Sequence, residues 1–352
     1  MFEIRFDGMR FSTWNSVELR ESVDDLCASL RLAVAMPDVG TGLGLTANSV
    51  VTVWADDAAG VPELVTTVRL DSLRRSVGAT SHEIAIEARS LGRELVDCQY
   101  SKTLSGMRLE GIIKALCKTF DVPVEILAKY VGKTQVVPEF AMQCELPANA
   151  LINAARAANL LLHPLPTGGL LLTEPTDASA VATLFYGEQL KSYAVVDEYR
   201  LRFSDYVVKS FDYDSGAAPK GVAKDDGISF FRPMHLVADK HGHSLGACER
   251  RAQTERNRRQ ARAHRLSLVV QGWSHAAGLW RINTQVRVVI PSEDIDEVFL
   301  IGDRTFKFDG QGGQTTHIEV MPRNAFVGEP KAHKKRASEA GNAAPRKNGV
   351  GK

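Results

Sequence analysis

The sequence predicts an α+β, multidomain chain. Two small β-barrel-like domains are separated by a small α/β domain, and a helical segment is inserted into the second. Three observations carry this reading. Short alternating apolar runs fill residues 1–98 and return at 177–212 and 266–328. Helical spacing is confined to 99–176 and to one later stretch. Gly, Pro and Asp cluster between the runs, where turns are needed.

The first run, "FEIRFDGMRF", places Phe2, Ile4 and Phe6 on one side of a pleat. "SVELRESVDDLCASLRLAV" fits a helix or a strand, and its later part, Ser29–Ala35, reads as strand. "NSVVTVWADD" sets Val51 and Val53 against Val50 and Trp54 on the other face. "ELVTTVRLDSLRRS" and "HEIAIEARS" add two more alternating runs, punctuated at Gly60-Val61-Pro62 and Val77-Gly78.

The period then changes. "TLSGMRLEGIIKALCKTF" carries Leu109, Ile112, Ile113 and Leu116 at helical spacing. "PANALINAARAANL" is a second helix with Pro147 near its start. "LLLHPLPTGGLLLTEP" is a hairpin with Thr167-Gly168-Gly169 at its tip. Residues 99–176 thus read as helix, short strand, helix and hairpin.

Strands resume with "YAVVDEYRLRFSDYVVKSF", and "DYDSGAAPKGVAKDDG" is a loop by composition. A long helix, "SLGACERRAQTERNRRQARAH", completes an insertion over 213–265. Five strands follow at Leu266–Trp273, Thr284–Ile290, Glu297–Gly302, Thr305–Asp309 and Thr315–Val320, with a turn at Asp309–Gly313. Their even spacing suggests a closed or nearly closed small barrel. Residues 329–352 form a basic tail too poor in large apolar residues to offset ordering entropy, and are expected to be disordered.

Net charge is +1 over the chain. Seven of the basic residues and one Glu lie at 331–352, which leaves 36 basic and 41 acidic residues before it, a net −5. Five cysteines are scattered singly without CxxC spacing, against both a disulfide framework and a zinc site, so a reducing compartment is expected. The N-terminal stretch alternates and is charged, unlike a signal peptide. No apolar run approaches the roughly 20 residues of a membrane span, and no stable membrane binding is expected.

Candidate chemistry is sparse. "GTGLG" (Gly40, Gly42, Gly44) precedes a strand, whereas a dinucleotide fingerprint follows one and opens a helix. "DKHGHS" offers Asp239, His241 and His243, with nothing nearby to complete a ligand set. Asp56 and Asp57 are adjacent in a turn, so their carboxyls point apart instead of converging across a cleft. No catalytic, metal or cofactor site is assigned.

From Arg250 to Arg265 there are seven Arg and one Glu. These arginines, Arg256 and Arg259 among them, spread around the helix with no apolar stripe. Such a helix is solvent-bridging or lies against something anionic. Glu255 and Arg259 pair at i,i+4. Tryptophans in β proteins pack over barrel ends or mark interfaces. Trp54, Trp273, Trp280, Arg256 and Arg259 are therefore the candidate interface residues.

Several stretches resemble the baseplate hub proteins of Mu-like contractile-tailed phages and prophages, related to the late control D proteins. They are "ARSLGRELVDCQYS" (Ala88–Ser101), "TLSGMRLEGIIKALCKTFDVPV" (Thr103–Val124), "FSDYVVKSF" (Phe203–Phe211), "LVVQGWSHAAGLWRINTQVRV" (Leu268–Val288) and "FKFDGQGGQTTHIEVMPRNAF". The resemblance implies a structural homotrimer around a channel, each subunit giving two tube domains. The resulting pseudo-six-fold ring adapts a hexameric tail tube protein to a trimeric central spike protein. It implies contact with other baseplate proteins, DNA passing the channel without sequence specificity, a virion tail location and assembly in the host cytoplasm. The two tube domains would be 1–98 and 177–212 joined with 266–328, with Trp273 and Trp280 near a domain or subunit boundary. Two alternatives remain open. A tail-associated cell-wall hydrolase would show in a lysis assay. A DNA-binding protein using the Arg-rich helix would lose affinity steeply with salt.

Overall fold

The computed structural model describes residues 2–6, 8–35, 44–47, 49–78, 82–211, 216, 218–238 and 245–326. Gly40, Gly42, Asp239, His241, His243 and the tail at 329–352 lie outside the described residues.

Seven strands build the first half: β1 (Phe2–Phe6), β2 (Met9–Phe11), β3 (Ser16–Ser22), β4 (Ser29–Ala35), β5 (Val50–Asp56), β6 (Pro62–Val77) and β7 (His82–Ser90). Their order is β3-β4-β7-β6-β5-β1-β2, antiparallel throughout. Alternation decides which face is buried. Val51, Val53 and Ala55 turn inward with Ile84, Ile86 and Ala88, while Val50 faces out.

The α/β unit follows: α1 (Arg93–Asp97), β8 (Tyr100–Arg108), α2 (Leu109–Thr119), β9 (Val124–Ile126), β10 (Val136–Glu145), α3 (Pro147–Ala157), β11 (Leu161–Pro164) and β12 (Leu170–Thr173). Leu109, Ile112, Ile113 and Leu116 of α2 are fully buried against Leu151 and Ala155 of α3 and the strands β11 and β12. "TLSGMR", read as the start of a helix, is instead the end of β8, which pairs antiparallel with β10. The hairpin tip rests on the first half, where Thr67 Oγ1 donates to the Pro166 carbonyl. Gly168 makes this contact possible. Its φ is +85°, and a Cβ there would lie 2.7 Å from the Thr67 carbonyl oxygen.

The second half opens with β13 (Ala182–Phe185) and β14 (Leu190–Asp197). It is then interrupted by β15 (Asp205–Lys209), β16 (Lys220–Lys224), β17 (Pro233–Val237) and α4 (Leu245–Ala263). It resumes with β18 (His264–Gln271), the two-residue strands β19 (Ser274–His275) and β20 (Gly278–Leu279), then β21 (Gln285–Ile290), β22 (Ile295–Asp309) and β23 (Gly313–Met321). Its order is β14-β18-β23-β22-β21-β13.

Set β2 and the two-residue strands β19 and β20 aside and, outside the insertion, the strands of the two halves correspond one to one in chain order: β1, β3, β4, β5, β6, β7 with β13, β14, β18, β21, β22, β23. In space both run second, third, sixth, fifth, fourth, first. The fifth strand is the longest of each, 16 and 15 residues. Each fifth strand also slips register against the sixth, between Leu70 and Ser72 and between Ile301 and Asp303. One direction differs: β1 is antiparallel to β5, whereas β13 is parallel to β21.

Three sequence expectations change. Glu297–Gly302 and Thr305–Asp309 are one strand, β22, bent by its register shift instead of broken by a turn. Asp205–Lys209 leaves the second β domain and lies between β16 and β17 in a separate three-stranded sheet. The insertion, expected to begin at 213, therefore includes β15, and its loop-like stretch contains β16. Finally, α4 does have a packing face. Cys248 and Ala252, one turn apart, join Tyr206, Val208 and Ala223 in a small core.

That face works because its residues are small. A Cβ at Gly221 of β16 would lie 2.2 Å from the Cys248 carbonyl carbon and 2.3 Å from the Glu249 nitrogen, both backbone atoms of α4. Gly221→Ala must therefore push α4 off its sheet. The expected loss is about 1–3 kcal/mol, read by urea unfolding, with protection from hydrogen exchange lost first in 205–263.

Candidate functional site: an internal seam and two open strand edges

The halves are not separate sheets. The end of β22, Asp303–Asp309, pairs antiparallel with β3, Ser22–Ser16, so one 13-stranded sheet runs through both. Glu21 and Arg304 are directly opposed across this ladder. Alternation puts both on the inner face, beside Leu19 and Phe306, and both are buried. Arg304 Nη2 lies 2.8 Å from Glu21 Oε2. Arg304 Nη1 donates to the Trp280 carbonyl at 2.7 Å, and the guanidinium sits 4.0 Å over the Phe306 ring. Complete burial pulls Arg304 down to about 10, still protonated at neutral pH.

The stretch with two tryptophans wraps this pair. Trp273 stacks on Phe306 at 5.2 Å and meets Phe2 of the first half edge-on at 5.1 Å. Its indole N–H donates to the carbonyls of Lys307 and Thr315. Trp280 supplies the carbonyl that Arg304 uses, and its ring tilts against His275 at 4.7 Å. The next residue, Arg281, pairs with Glu63 of β6 and donates to the Leu64 carbonyl. The turn thus fastens the second half to two strands of the first.

Trp273 and Trp280 are each 3% exposed. They mark the boundary between the halves, but their surface is used within one chain, so they are not offered to a partner. Trp54 is half-buried beneath Arg5, whose guanidinium lies 4.1 Å from the ring. Arg256 is occupied by Asn257 and the Lys224 carbonyl. Arg259 is held by Glu255 at 2.6 Å and lies over Phe203. The structure does not bring these five together, and Arg256 and Arg259 of α4 serve contacts inside the chain. Asp57 acts in its turn, where Oδ1 accepts from the backbone of Ala59 and Val61. Glu21 and Arg304 escaped the sequence reading. The signal was available: each carries a charge at an inward position of an alternating strand.

Two edges complete the geometry. β22 shares its length between partners on one side, Ile295–Leu300 with β21 and Asp303–Asp309 with β3. The equivalent strand β6 pairs with β5 only along Pro62–Arg69. Beyond it, Ser72–Val77 has β7 on one side and no strand on the other among the described residues, and Arg74 to Val77 are exposed. β14, the equivalent of β3, is paired with β18 alone and is largely exposed. Each half therefore has a fifth-strand end and a second strand. One of each is joined inside the chain, and one of each is open.

Comparison with known proteins places this arrangement. Residues 93–174 match the family described as baseplate hub protein gp44-like, second domain. Residues 245–329 match Mu phage baseplate assembly protein GpP, fourth domain. Baseplate hub protein gp44 of Escherichia phage Mu is 28% identical over 344 residues, 92% of this chain and 88% of that protein. These matches make the chain similar to the Mu-like baseplate hub proteins. The fold agrees. The 43 kDa tail protein of prophage MuSo2 from Shewanella oneidensis superposes with a TM-score of 0.79 at 22% identity, covering 93% of this chain and 99% of that one. A tail protein from Neisseria meningitidis MC58 gives 0.79 at 20% identity, covering 92% and 97%. The α/β unit and the α4-to-β23 region are the stretches that the family descriptions match, and the seam joins the latter to the first half.

Two outcomes follow from the seam. Arg304→Met strands a buried carboxylate at Glu21 and should lose about 3–5 kcal/mol, while Glu21→Leu with Arg304→Met should recover most of that loss. Urea unfolding of the single and double variants measures both. Trp280→Ala should destabilise the monomer itself by about 3–5 kcal/mol, read by the same unfolding.

Proposed function

We propose that the chain is the structural baseplate hub of a contractile phage or prophage tail. Three copies form a ring with a central channel. The ring matches the hexameric tail tube protein on one side and the trimeric central spike protein on the other, and touches other baseplate proteins. DNA crosses the channel without sequence-specific contacts. The site of action is the virion tail baseplate, assembled in the host cytoplasm, and no catalytic, metal or cofactor chemistry enters the role. The hub assignment is supported by the gp44 relationship over nearly the whole chain.

One observation carries the ring: the repeated strand order with one seam closed and its equivalent open. Repeat the internal pairing between copies and Ser72–Val77 of β6 takes β14 of the next subunit, just as Asp303–Asp309 takes β3. Every junction around the ring is then of one kind. A closed three-fold ring presents six similar modules only if each subunit supplies two. Pairing also removes the two exposed edges, which are otherwise aggregation sites. The domain pair proposed is the first half, 1–98, with the second half, discontinuous around its insertion.

Light scattering of the full chain should give the mass of a trimer. Successive N–H groups of a strand point to opposite sides, so one of Arg74→Pro and Arg75→Pro removes a donor on the open side of β6. That variant should run as a monomer with an unchanged far-UV spectrum. A wild-type chain that stays monomeric, or two proline variants that both remain trimers, would overturn the ring.

A further inference from the structure

A cavity of ≈ 540 Å³ opens between α3, the turn at Tyr199–Leu201 and α4. Five arginines line it: Arg156, Arg251, Arg258, Arg259 and Arg262. Two carboxylates offset them. Asp24 Oδ1 receives Arg156 Nη2 at 2.8 Å and Arg262 Nη2 at 2.9 Å, and Glu255 receives Arg259. Burial alone would raise Asp24, but Arg262 and Arg156 together hold it below its ordinary value, so it stays ionised.

Neither carboxylate is paired with Arg258. It is 9% exposed, lines the cavity, and makes no hydrogen bond or ion pair among the described residues. Burial, with Arg262 and Arg156 close by, pulls it down to about 10, which leaves it charged at neutral pH. A buried guanidinium normally meets a carboxylate, a phosphate or a carbonyl, because its fork of five donors is costly to leave unmet. No element of the described chain supplies that group. The volume and the donor geometry suit a tetrahedral oxyanion reached from solvent.

We propose that this cavity is a binding site for a multivalent phosphate-class oxyanion, with Arg258 as its central ligand and Arg251, Arg156 and Arg262 around it. The bound anion would tie α3 of the α/β unit to α4 of the insertion. Two sources share this chemistry, a free phosphate compound and a nucleic-acid backbone. A 540 Å³ pocket admits the first directly and only an extruded single-strand phosphate from the second.

The test is calorimetric titration and thermal melting of the full chain with pyrophosphate, against sodium chloride at equal ionic strength. Wild type should bind one pyrophosphate per chain and melt higher with it than with chloride. Arg258→Gln should weaken binding at least tenfold, yet melt no lower than wild type without anion, because it removes an uncompensated charge. Arg258→Lys keeps the charge without the fork and should fall between. Arg287→Gln, at the exposed Arg287–Asp296 pair on β21, should bind as wild type does. A short single-stranded oligonucleotide that displaces pyrophosphate assigns the backbone as source, and failure to displace it assigns the free compound. Equal melting in pyrophosphate and chloride overturns the site, as does unchanged affinity in Arg258→Gln. Should Arg258→Gln not fold, the ratio of Arg258→Lys to wild-type affinity decides, with equality overturning the proposal.

Discussion

The rest of the structure depends on the ladder between β3 and β22, and that ladder is organised around one buried ion pair. Burying Arg304 and Glu21 is unfavourable unless each holds the other. Each residue is therefore a strong condition on register. Because side chains alternate along a strand, a slip of one residue by either strand would turn its charge to the outer face together with its core residue, Leu19 or Phe306, and leave the other charge buried alone. A slip of two would leave them inward but unopposed. The pair thus penalises every register but the observed one, which apolar packing alone does less sharply. The Trp280 carbonyl extends the condition to the turn that also carries Trp273 and Arg281, so the position of the second half follows from that of β3.

A long fifth strand makes this arrangement possible twice. β22 bends at its register shift, leaves β21 and continues alongside β3. β6 bends at the equivalent place and continues past β5 into solvent. The bulge is the device in both: it redirects the strand end without breaking the ladder to the sixth strand. Direct strand pairing needs no catalytic residue and no large apolar patch. The parallel β13 in place of the antiparallel β1 leaves the fifth and second strands untouched, so it does not disturb the equivalence of the seams.

Much of the fold was legible in the sequence because alternation and helical spacing are strong where one face is buried. Ser29–Ala35 is the strand that its spacing favours, and Leu109, Ile112, Ile113 and Leu116 are all buried on α2. The failures share a cause. β8 is largely exposed, and the residues it turns to the core, Tyr100, Leu104 and Met107, do not alternate, so "TLSGMR" carried no strand pattern. β16 hides in a loop-like composition because Gly221 and Ala223 are small, and α4 hides its packing face for the same reason. Of the candidate site, the tryptophan turn was found by its aromatics and placed near a domain or subunit boundary, without its neighbours. Its real neighbours, Phe2 and Phe306, lie roughly 270 residues before it and about 30 after it along the chain, and no local pattern reports contacts of that range.

The loop after β3 shows how the seam governs the other units. Val23 donates its N–H to the Gly302 carbonyl and packs with Leu161, Leu300 and Phe326. Asp24 joins Arg156 of α3 to Arg262 of α4. Leu26 enters the core of the α/β unit, and the Ala28 N–H is held by Ser90 Oγ at the end of β7. Within a few residues of Glu21, the chain therefore touches the second half, the insertion, the α/β unit and the first half in turn. These contacts are short-range and each is modest, so their geometry is set by whatever fixes the start of the loop. That start is the β3 register, which the Glu21–Arg304 pair specifies. The Arg-lined cavity between α3 and α4 is then a consequence of the same constraint: the seam sets Asp24, Asp24 sets the spacing of two helices, and the arginines of α4 with Arg156 of α3 cannot close that space by themselves.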